Sequence, residues 1–253
     1  MNILIVGYGF VGTATEYLFR DAGINIHIED PLHSYIFMED EDLDYIFLCV
    51  PTDPDRETGK LDISLLSEVY NYWKDKGKIV IRSTIGPDQV DFFPEAIMMP
   101  EFLREKHWQK DVDDPVIPII TSDYKFTDKL QDLLPNKCCW YLRPKEAMMY
   151  KLARNTALAM KVAVANQLYE ICETYKMDYA TLGYMIKEDL ALGYSHWEVP
   201  GHDGKLGFGG KCLPKDLTHM STLCYSDTNI FQQALDENMV RRIISTGENN
   251  ELN

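Results

Sequence analysis

The sequence predicts an α/β protein: a doubly wound, mostly parallel sheet followed by a helical domain with one long central helix. Three observations carry that prediction. Apolar, β-rich runs recur at 3–6, 24–29, 45–50, 78–82, 96–99, 116–121 and 137–142, several of them separated by helical patterns. Strands alternating with helices imply a parallel sheet covered on both faces. A glycine-rich turn follows the first run directly. From Lys145 to about Tyr175 there is neither glycine nor proline, and alanine, leucine and methionine dominate. That stretch reads as one helix of roughly eight turns. The division falls after Arg143, giving domains 1–143 and 144–253.

The elements follow in order. Ile3-Leu4-Ile5-Val6 leads into Gly7-Tyr8-Gly9-Phe10-Val11-Gly12, after which Val11, Ala14, Tyr17, Leu18 and Ala22 lie at helical spacing. A second strand runs from Ile24 to Glu29 and ends at Asp30, about 18 residues beyond Gly12. Strand, glycine turn, helix, strand and acid form the full context of a Rossmann-type dinucleotide site. The glycines admit a pyrophosphate to the helix N-terminus, and Asp30 is placed to accept from a ribose 2′-hydroxyl. An acid there, with Glu39, Asp40, Glu41 and Asp42 nearby, disfavours a 2′-phosphate, so NAD is expected rather than NADP. The acidic run itself reads as solvated surface. Ile63, Leu66, Val69, Tyr70 and Trp73 mark a helix before the 78–82 strand. The long helix is too long and too apolar for one small domain, which predicts that it links domains and packs against a second copy. Shorter helices are expected at 179–185, 215–223 and 229–244, and the polar tail 247–253 as a frayed end.

The segment Gly207-Phe208-Gly209-Gly210-Lys211-Cys212-Leu213-Pro214-Lys215-Asp216 delivers a cysteine at the end of a glycine loop, ahead of a helix that Pro214 can start. The glycines permit backbone turns closed to other residues and a close approach of ligand to main chain. Beside a helix N-terminus and flanked by Lys211 and Lys215, a thiol becomes a reactive thiolate more readily. The same residues also read as a tight turn, a buried cysteine and an ordinary acid in a first helical turn.

Composition bounds the function. A hydrophobic fraction of 45% and a charged fraction of 26% are those of a globular protein. A net charge of −15 argues against nucleic acid or an anionic membrane as partner. No run is long and apolar enough to span a bilayer, and no basic region precedes the first strand, so a cytoplasmic protein is expected. Six cysteines without CxxC pairs fit reduced thiols, and six scattered histidines show no metal-ligand spacing.

These residues resemble the UDP-glucose/GDP-mannose dehydrogenase family, and its UDP-glucose branch most closely. The resemblance runs from Met1 to about Arg242 and rests on motifs in the family order. They are Gly7–Gly12, Cys49-Val50-Pro51-Thr52, Arg82-Ser83-Thr84-Ile85, Pro100-Glu101-Phe102-Leu103-Arg104-Glu105, Lys151 with Asn155, and Gly207–Asp216. The resemblance implies oxidation of a nucleotide sugar at C6 to the uronate with two NAD and no metal. UDP-glucose is the favoured substrate, ahead of UDP-N-acetylhexosamines and GDP-mannose. It further implies that Cys212 forms a thiohemiacetal and then a thioester. Asp216 and Lys151 assist the alcohol oxidation, Glu101 or Thr84 positions the hydrolytic water, and Lys151 with Asn155 holds the oxyanion. Lys151 and Asn155, four apart on one helix, face the same way. Gly7, Gly9, Phe10, Val11, Gly12, Asp30, Val50, Pro51, Thr52, Ser83 and Thr84 are expected to line the cofactor. Glu101, Phe102, Leu103, Arg104, Glu105, Lys151, Asn155, Phe208, Gly209 and Gly210 are expected at the substrate. Taken singly, Lys151 reads as a solvated lysine, Asn155 as a packing residue, Glu101 and Glu105 as surface acids, and Thr84 as a cap.

A typical family member continues past the helix ending near Ile244 into a further α/β domain over the nucleotide, and no such segment is expected here. A compact enzyme, a domain supplied by another polypeptide and a nucleotide-binding remnant are the three readings of that departure. Outside the family, a single-step hydroxyacid dehydrogenase and a non-catalytic, oligomer-building subunit remain open. The first has no need of a thiol at Cys212.

Overall fold

The computed structural model describes residues 1–37, 42–224 and 229–246. Of the acidic run, Glu39, Asp40 and Glu41 lie outside the described residues, as does the tail 247–253. The chain divides into two compact units, one comprising Met1–Asp53 with Leu61–Lys151, the other Pro54–Lys60 with Leu152–Asn253.

The first unit holds strands β1 (Asn2–Val6), β2 (Asn25–Glu29), β3 (Tyr45–Leu48), β4 (Lys78–Ile81) and β5 (Ile97–Met98). They form one sheet in the order β2-β1-β3-β4-β5, every pair parallel. β6 (Ile119–Thr121) and β7 (Cys139–Tyr141) pair separately, also in parallel. Helices α1 (Phe10–Phe19), α2 (Ser64–Trp73), α3 (Trp108–Asp113) and α4 (Tyr124–Leu133) complete the unit. This is the doubly wound α/β fold that the sequence predicts.

The strand pattern explains why the apolar runs are continuous rather than alternating. Successive side chains point to opposite faces, and both faces are covered. Leu4, Val6, Ile46 and Leu48 enter one core with Leu66, Tyr70 and Trp73 of α2. Ile3, Ile5 and Phe47 enter the other with Phe19 of α1 and Phe126 and Leu130 of α4. β2 and β3 lie on opposite sides of β1, so the chain reverses direction across the sheet at the carboxyl end of β1. Ligands of open parallel sheets bind at such a switch point. The glycine turn emerges there.

Helix α5 (Pro144–Tyr175) is 32 residues long, or about 48 Å at 1.5 Å per residue. It opens with proline, whose missing N–H would have had no intrahelical partner there. Its buried positions, Ala147, Met148, Lys151, Leu152, Asn155, Thr156 and Ala159, recur with helical period. The last turn closes with a left-handed Lys176 (φ 55°), and Met177 N–H donates back to the Cys172 carbonyl at 2.8 Å. This is the Schellman closure, with lysine in the place usually taken by glycine.

The second unit adds α6 (Tyr179–Glu188), α7 (Cys212–Thr222) and α8 (Ile230–Thr246). Its packing has two centres. One is Ala159, Phe208, Leu217 and Ala234; the other is Ala165, Cys172, Tyr179 and Trp197. Asp178 caps α6 by accepting from the Ala180 and Thr181 N–H groups. Among the described residues, no helix is long and apolar enough to cross a membrane.

Candidate active site

The three glycines of the first turn have different reasons to be glycine. Gly7 has φ 89°, and a Cβ there would lie 2.9 Å from the Cys49 carbonyl oxygen. A Cβ on Gly12 would lie 2.1 Å from the Gly7 carbonyl oxygen, so α1 packs directly on the turn. Around Gly9, at the N-cap of α1, nothing lies within 4 Å of the added Cβ. The turn is therefore packed shut at two positions and open at the third. Beside that opening, Phe10, Val11 and Gly12 begin a helix whose first N–H groups have no intrahelical acceptor. The residues present thus fit a dinucleotide diphosphate, which the space at Gly9 and the helix N-terminus would hold.

Asp30 is buried and heavily bonded. Its Oδ2 accepts from Tyr8 N–H at 2.6 Å and pairs with His33 Nδ1 at 3.1 Å. Its Oδ1 accepts from the N–H groups of Leu32 (2.9 Å) and His33 (3.3 Å). Burial pushes its carboxyl up, but the donors outweigh it and hold it below the usual range. Asp30 thereby ties the end of β2 to the glycine turn. The ends of β3 and β4 are stitched as well. Thr52 Oγ1 donates to the Thr84 carbonyl at 2.6 Å, and Ser83 Oγ to the Val50 carbonyl at 2.7 Å. Thr52, Ser83, Thr84 and Val50 are buried, while Pro51 is exposed.

Past β5, Glu101 and Lys151 form an ion pair of 2.8 Å, their side chains 5% and 2% exposed. Neither is the solvated residue that each suggests alone. Glu101 Oε2 also accepts from Leu103 N–H at 2.5 Å. Burial pushes the Glu101 carboxyl up, and the Lys151 ammonium, the Leu103 N–H and the Arg82 guanidinium together hold it below its ordinary value. Arg82 is buried too, its Nε has no hydrogen-bond partner, and burial lowers its own pKa. It shares a cavity of about 40 Å³ with Glu101, Phe102 and Asp111. Phe102 is in the core, edge-on to Tyr150. Arg104 grips buried Asp111 through Nε and Nη2, and its own N–H donates to Asp111 Oδ2 at 2.7 Å. Leu103 is half-buried, and Glu105 is exposed at the start of a single 3₁₀ turn.

In the second unit α7 begins at Cys212, three residues before the Lys215 start expected from the sequence. The first three helical N–H groups need no intrahelical partner, so Pro214 fits the third position as easily as the first. Cys212 is half-buried in the first turn, and none of the six cysteines is in a disulfide. Asp216 follows one turn later, on the same face of α7. It is fully buried. Asn155 Nδ2 donates to its Oδ2 at 2.6 Å, while Oδ1 has no hydrogen bond and lies 3.5 Å from Lys215 Nζ. Upstream, Gly207 and Gly210 both have positive φ, and Phe208 is anchored in the core.

Several residues of these sites have no counterpart in the sequence reading. Arg82 stands inside a quoted motif yet without a role; a cation closing an apolar strand was its signal. Asp111, Asn166, Asn238 and the Asp203–Arg242 pair hold the two loops. Asparagine inside an otherwise apolar stretch of α5 was the available hint for Asn166; the mixed sequence of α8 gave none for Asn238.

The fold and its glycine turn make this an α/β protein of the Rossmann type. Residues 145–239 match the central domain of the UDP-glucose/GDP-mannose dehydrogenase family. The chain is 26% identical to the UDP-glucose 6-dehydrogenase of Campylobacter jejuni, over 96% of this chain and 73% of that protein. It is 30% identical to the GDP-mannose 6-dehydrogenase of Pseudomonas savastanoi, over 76% of this chain and 52% of that protein. It spans only about half of that second relative. A solved UDP-glucose dehydrogenase from Pyrobaculum islandicum shares the fold, with a TM-score of 0.78 and 21% identity over 94% of this chain and 68% of that one. Residues 145–239 thus carry the family's central domain, and the relatives to which the chain is similar along most of its length are nucleotide-sugar dehydrogenases.

Proposed function

We propose that this chain is an NAD-dependent nucleotide-sugar 6-dehydrogenase acting on UDP-glucose. Cys212 serves as covalent nucleophile, with Lys151, Asn155, Asp216, Glu101 and Thr84 carrying the rest of the chemistry. The observation that supports it most is Cys212 in the first turn of α7 with buried Asp216 one turn on, its Oδ2 held by Asn155 and its Oδ1 without a hydrogen bond. A thiol and a buried acid on one helix face suit an enzyme that must both move a proton and trap an aldehyde.

Gly7, Gly9, Phe10, Val11 and Gly12 would hold the cofactor's diphosphate, with Val50, Pro51, Thr52, Ser83 and Thr84 beside it. Asp30 would accept from the ribose, exchanging its half-exposed partner His33 for the hydroxyl. When bound, NAD accepts a hydride at each of two oxidations. Asp216 Oδ1 and Lys151 take up the proton and the charge as the C6 alcohol becomes an aldehyde. The Cys212 sulfur then adds to the aldehyde carbon, and the carbonyl oxygen gains a proton, giving a thiohemiacetal. Its oxidation leaves a thioester on Cys212. Glu101, held as a carboxylate by Lys151, positions the water whose oxygen replaces sulfur. Lys151 and Asn155 steady the oxyanion, and the thiol leaves with a proton.

Exposed apolar residues on α5, among them Val164, Ile171 and Tyr175, support a homodimer through that helix. A soluble, cytoplasmic location accompanies this reading. The test is NADH formed per UDP-glucose with sugar limiting and NAD in excess. Two per sugar is expected. One per sugar would indicate a single-step alcohol dehydrogenase, and none with any nucleotide sugar would indicate a non-catalytic chain.

A further inference from the structure

The backbone ahead of Cys212 is held by side chains rather than by secondary structure. Three consecutive amides each find a different acceptor. Leu206 N–H donates to Ser245 Oγ (2.8 Å), Gly207 N–H to Asn166 Oδ1 (2.9 Å) and Phe208 N–H to Asn238 Oδ1 (2.7 Å). Asn238 closes a second bond to the same residue, Nδ2 donating to the Phe208 carbonyl at 3.0 Å. Two of the acceptors are themselves tethered. Asn166 Nδ2 donates to the Val162 carbonyl at 2.8 Å, and Ser245 Oγ to the Arg241 carbonyl at 3.0 Å.

Close approach completes the arrangement. A Cβ on Gly207 would lie 2.4 Å from Asn238 Oδ1. One on Gly209 would lie 2.7 Å from Arg242 Nη2 and 2.8 Å from Asp203 Oδ2, the two groups forming an ion pair of 2.8 Å. Around Gly210 nothing lies within 4 Å. Gly207 is thus closed by Asn238 and by its own positive φ, Gly209 faces the ends of the Asp203–Arg242 pair, and the space at Gly210 is open.

We propose that Asn238 is a positioning residue for Cys212. Together with Asn166 and Ser245 it splints the chain up to Phe208, so that the turn at Gly210 delivers the thiol to one place at the start of α7. A side-chain amide that both accepts from and donates to the backbone of one residue mimics a neighbouring strand and fixes that residue's orientation as well as its position. The inference rests on Cys212 as the nucleophile, and the experiment separates the two.

Alkylation of Cys212 by iodoacetamide, followed by mass spectrometry of its peptide across pH 5–10, needs neither NAD nor sugar. Hydrogen exchange at Phe208 is measured on the same full-length samples. In Asn238→Ala the Phe208 amide should exchange roughly tenfold to a hundredfold faster, and alkylation at neutral pH should slow several-fold with a shifted pH profile. Asn238→Asp, which keeps the acceptor and loses the donor, should fall between. Met239→Ala, exposed on the same helix, should match the parent. Faster exchange with an unchanged Cys212 profile would reduce Asn238 to a structural role and overturn the proposal. So would a folded Asn238→Ala in which neither changes; if that variant does not fold, Asn238→Asp is held to the same criterion. A shifted profile in a chain that oxidises no nucleotide sugar would leave the splint standing and remove the enzymatic reading.

Discussion

Replacing Lys151 with methionine removes the cation from a buried ion pair and leaves the length of the side chain. Glu101, 5% exposed, then keeps the Leu103 N–H and the Arg82 guanidinium but loses its 2.8 Å partner. Breaking a buried pair by deleting one member costs about 3–5 kcal/mol, because the survivor stays desolvated. With Arg82 still near, the lower end is expected. About 3 kcal/mol in a chain of this size lowers Tm by roughly 6–12 °C.

The pH dependence gives the sign. In the parent, Glu101 sits below its ordinary pKa, so its stabilisation is present above the unfolded value and is lost as pH falls through the folded one. In Lys151→Met burial dominates and pushes the carboxyl up. The deficit should then be smallest near pH 4–5 and grow toward pH 8, and Glu101→Gln in the same background should recover much of it. Thermal melts of parent, single and double variants at several pH values make the measurement. A loss below about 1 kcal/mol, constant across pH, would mean that the pair is not buried in solution.

Further outcomes follow from other sites. Gly12→Ala forces a Cβ to 2.1 Å from a backbone oxygen and should cost at least about 3 kcal/mol. Gly9→Ala meets nothing within 4 Å, so it should melt near the parent while losing dinucleotide affinity by calorimetry. Lys176→Gly relieves a left-handed lysine and should raise Tm by roughly 1–4 °C. Cys212→Ser should form no uronate from UDP-glucose, and full uronate production by that variant would remove the thioester route.

What the sequence reveals and what it hides divide along physical lines. Strands buried on both faces leave continuous apolar runs, so β1, β3 and β4 are legible to within two residues. The separation of β6 and β7 from the main sheet is not, because an apolar run does not name its neighbour. The long helix shows in the absence of breakers, and its end at Tyr175 is confirmed even though lysine takes the left-handed position. α7 starts earlier than read, because proline in a first turn marks the turn and not which of its residues is first. Glu101 and Lys151 are legible only through the family resemblance of their motifs, and Cys212 also through its glycine–lysine setting. Their supports are not: Asp111 under Arg104 and Asn238 under Phe208 are pairings that only the folded chain makes.

The 2.4 Å approach of Asn238 to the place where a Gly207 side chain would stand couples two distant positions of the gene. A methyl group at 207 meets both the Asn238 oxygen and a left-handed backbone (φ 75°), so shortening residue 238 removes the contact and leaves the strain. Neither single step is neutral, and the two together still place a side chain at positive φ. Drift at 207 is consequently confined, and libraries randomising the loop should return glycine there whether or not α8 is randomised alongside.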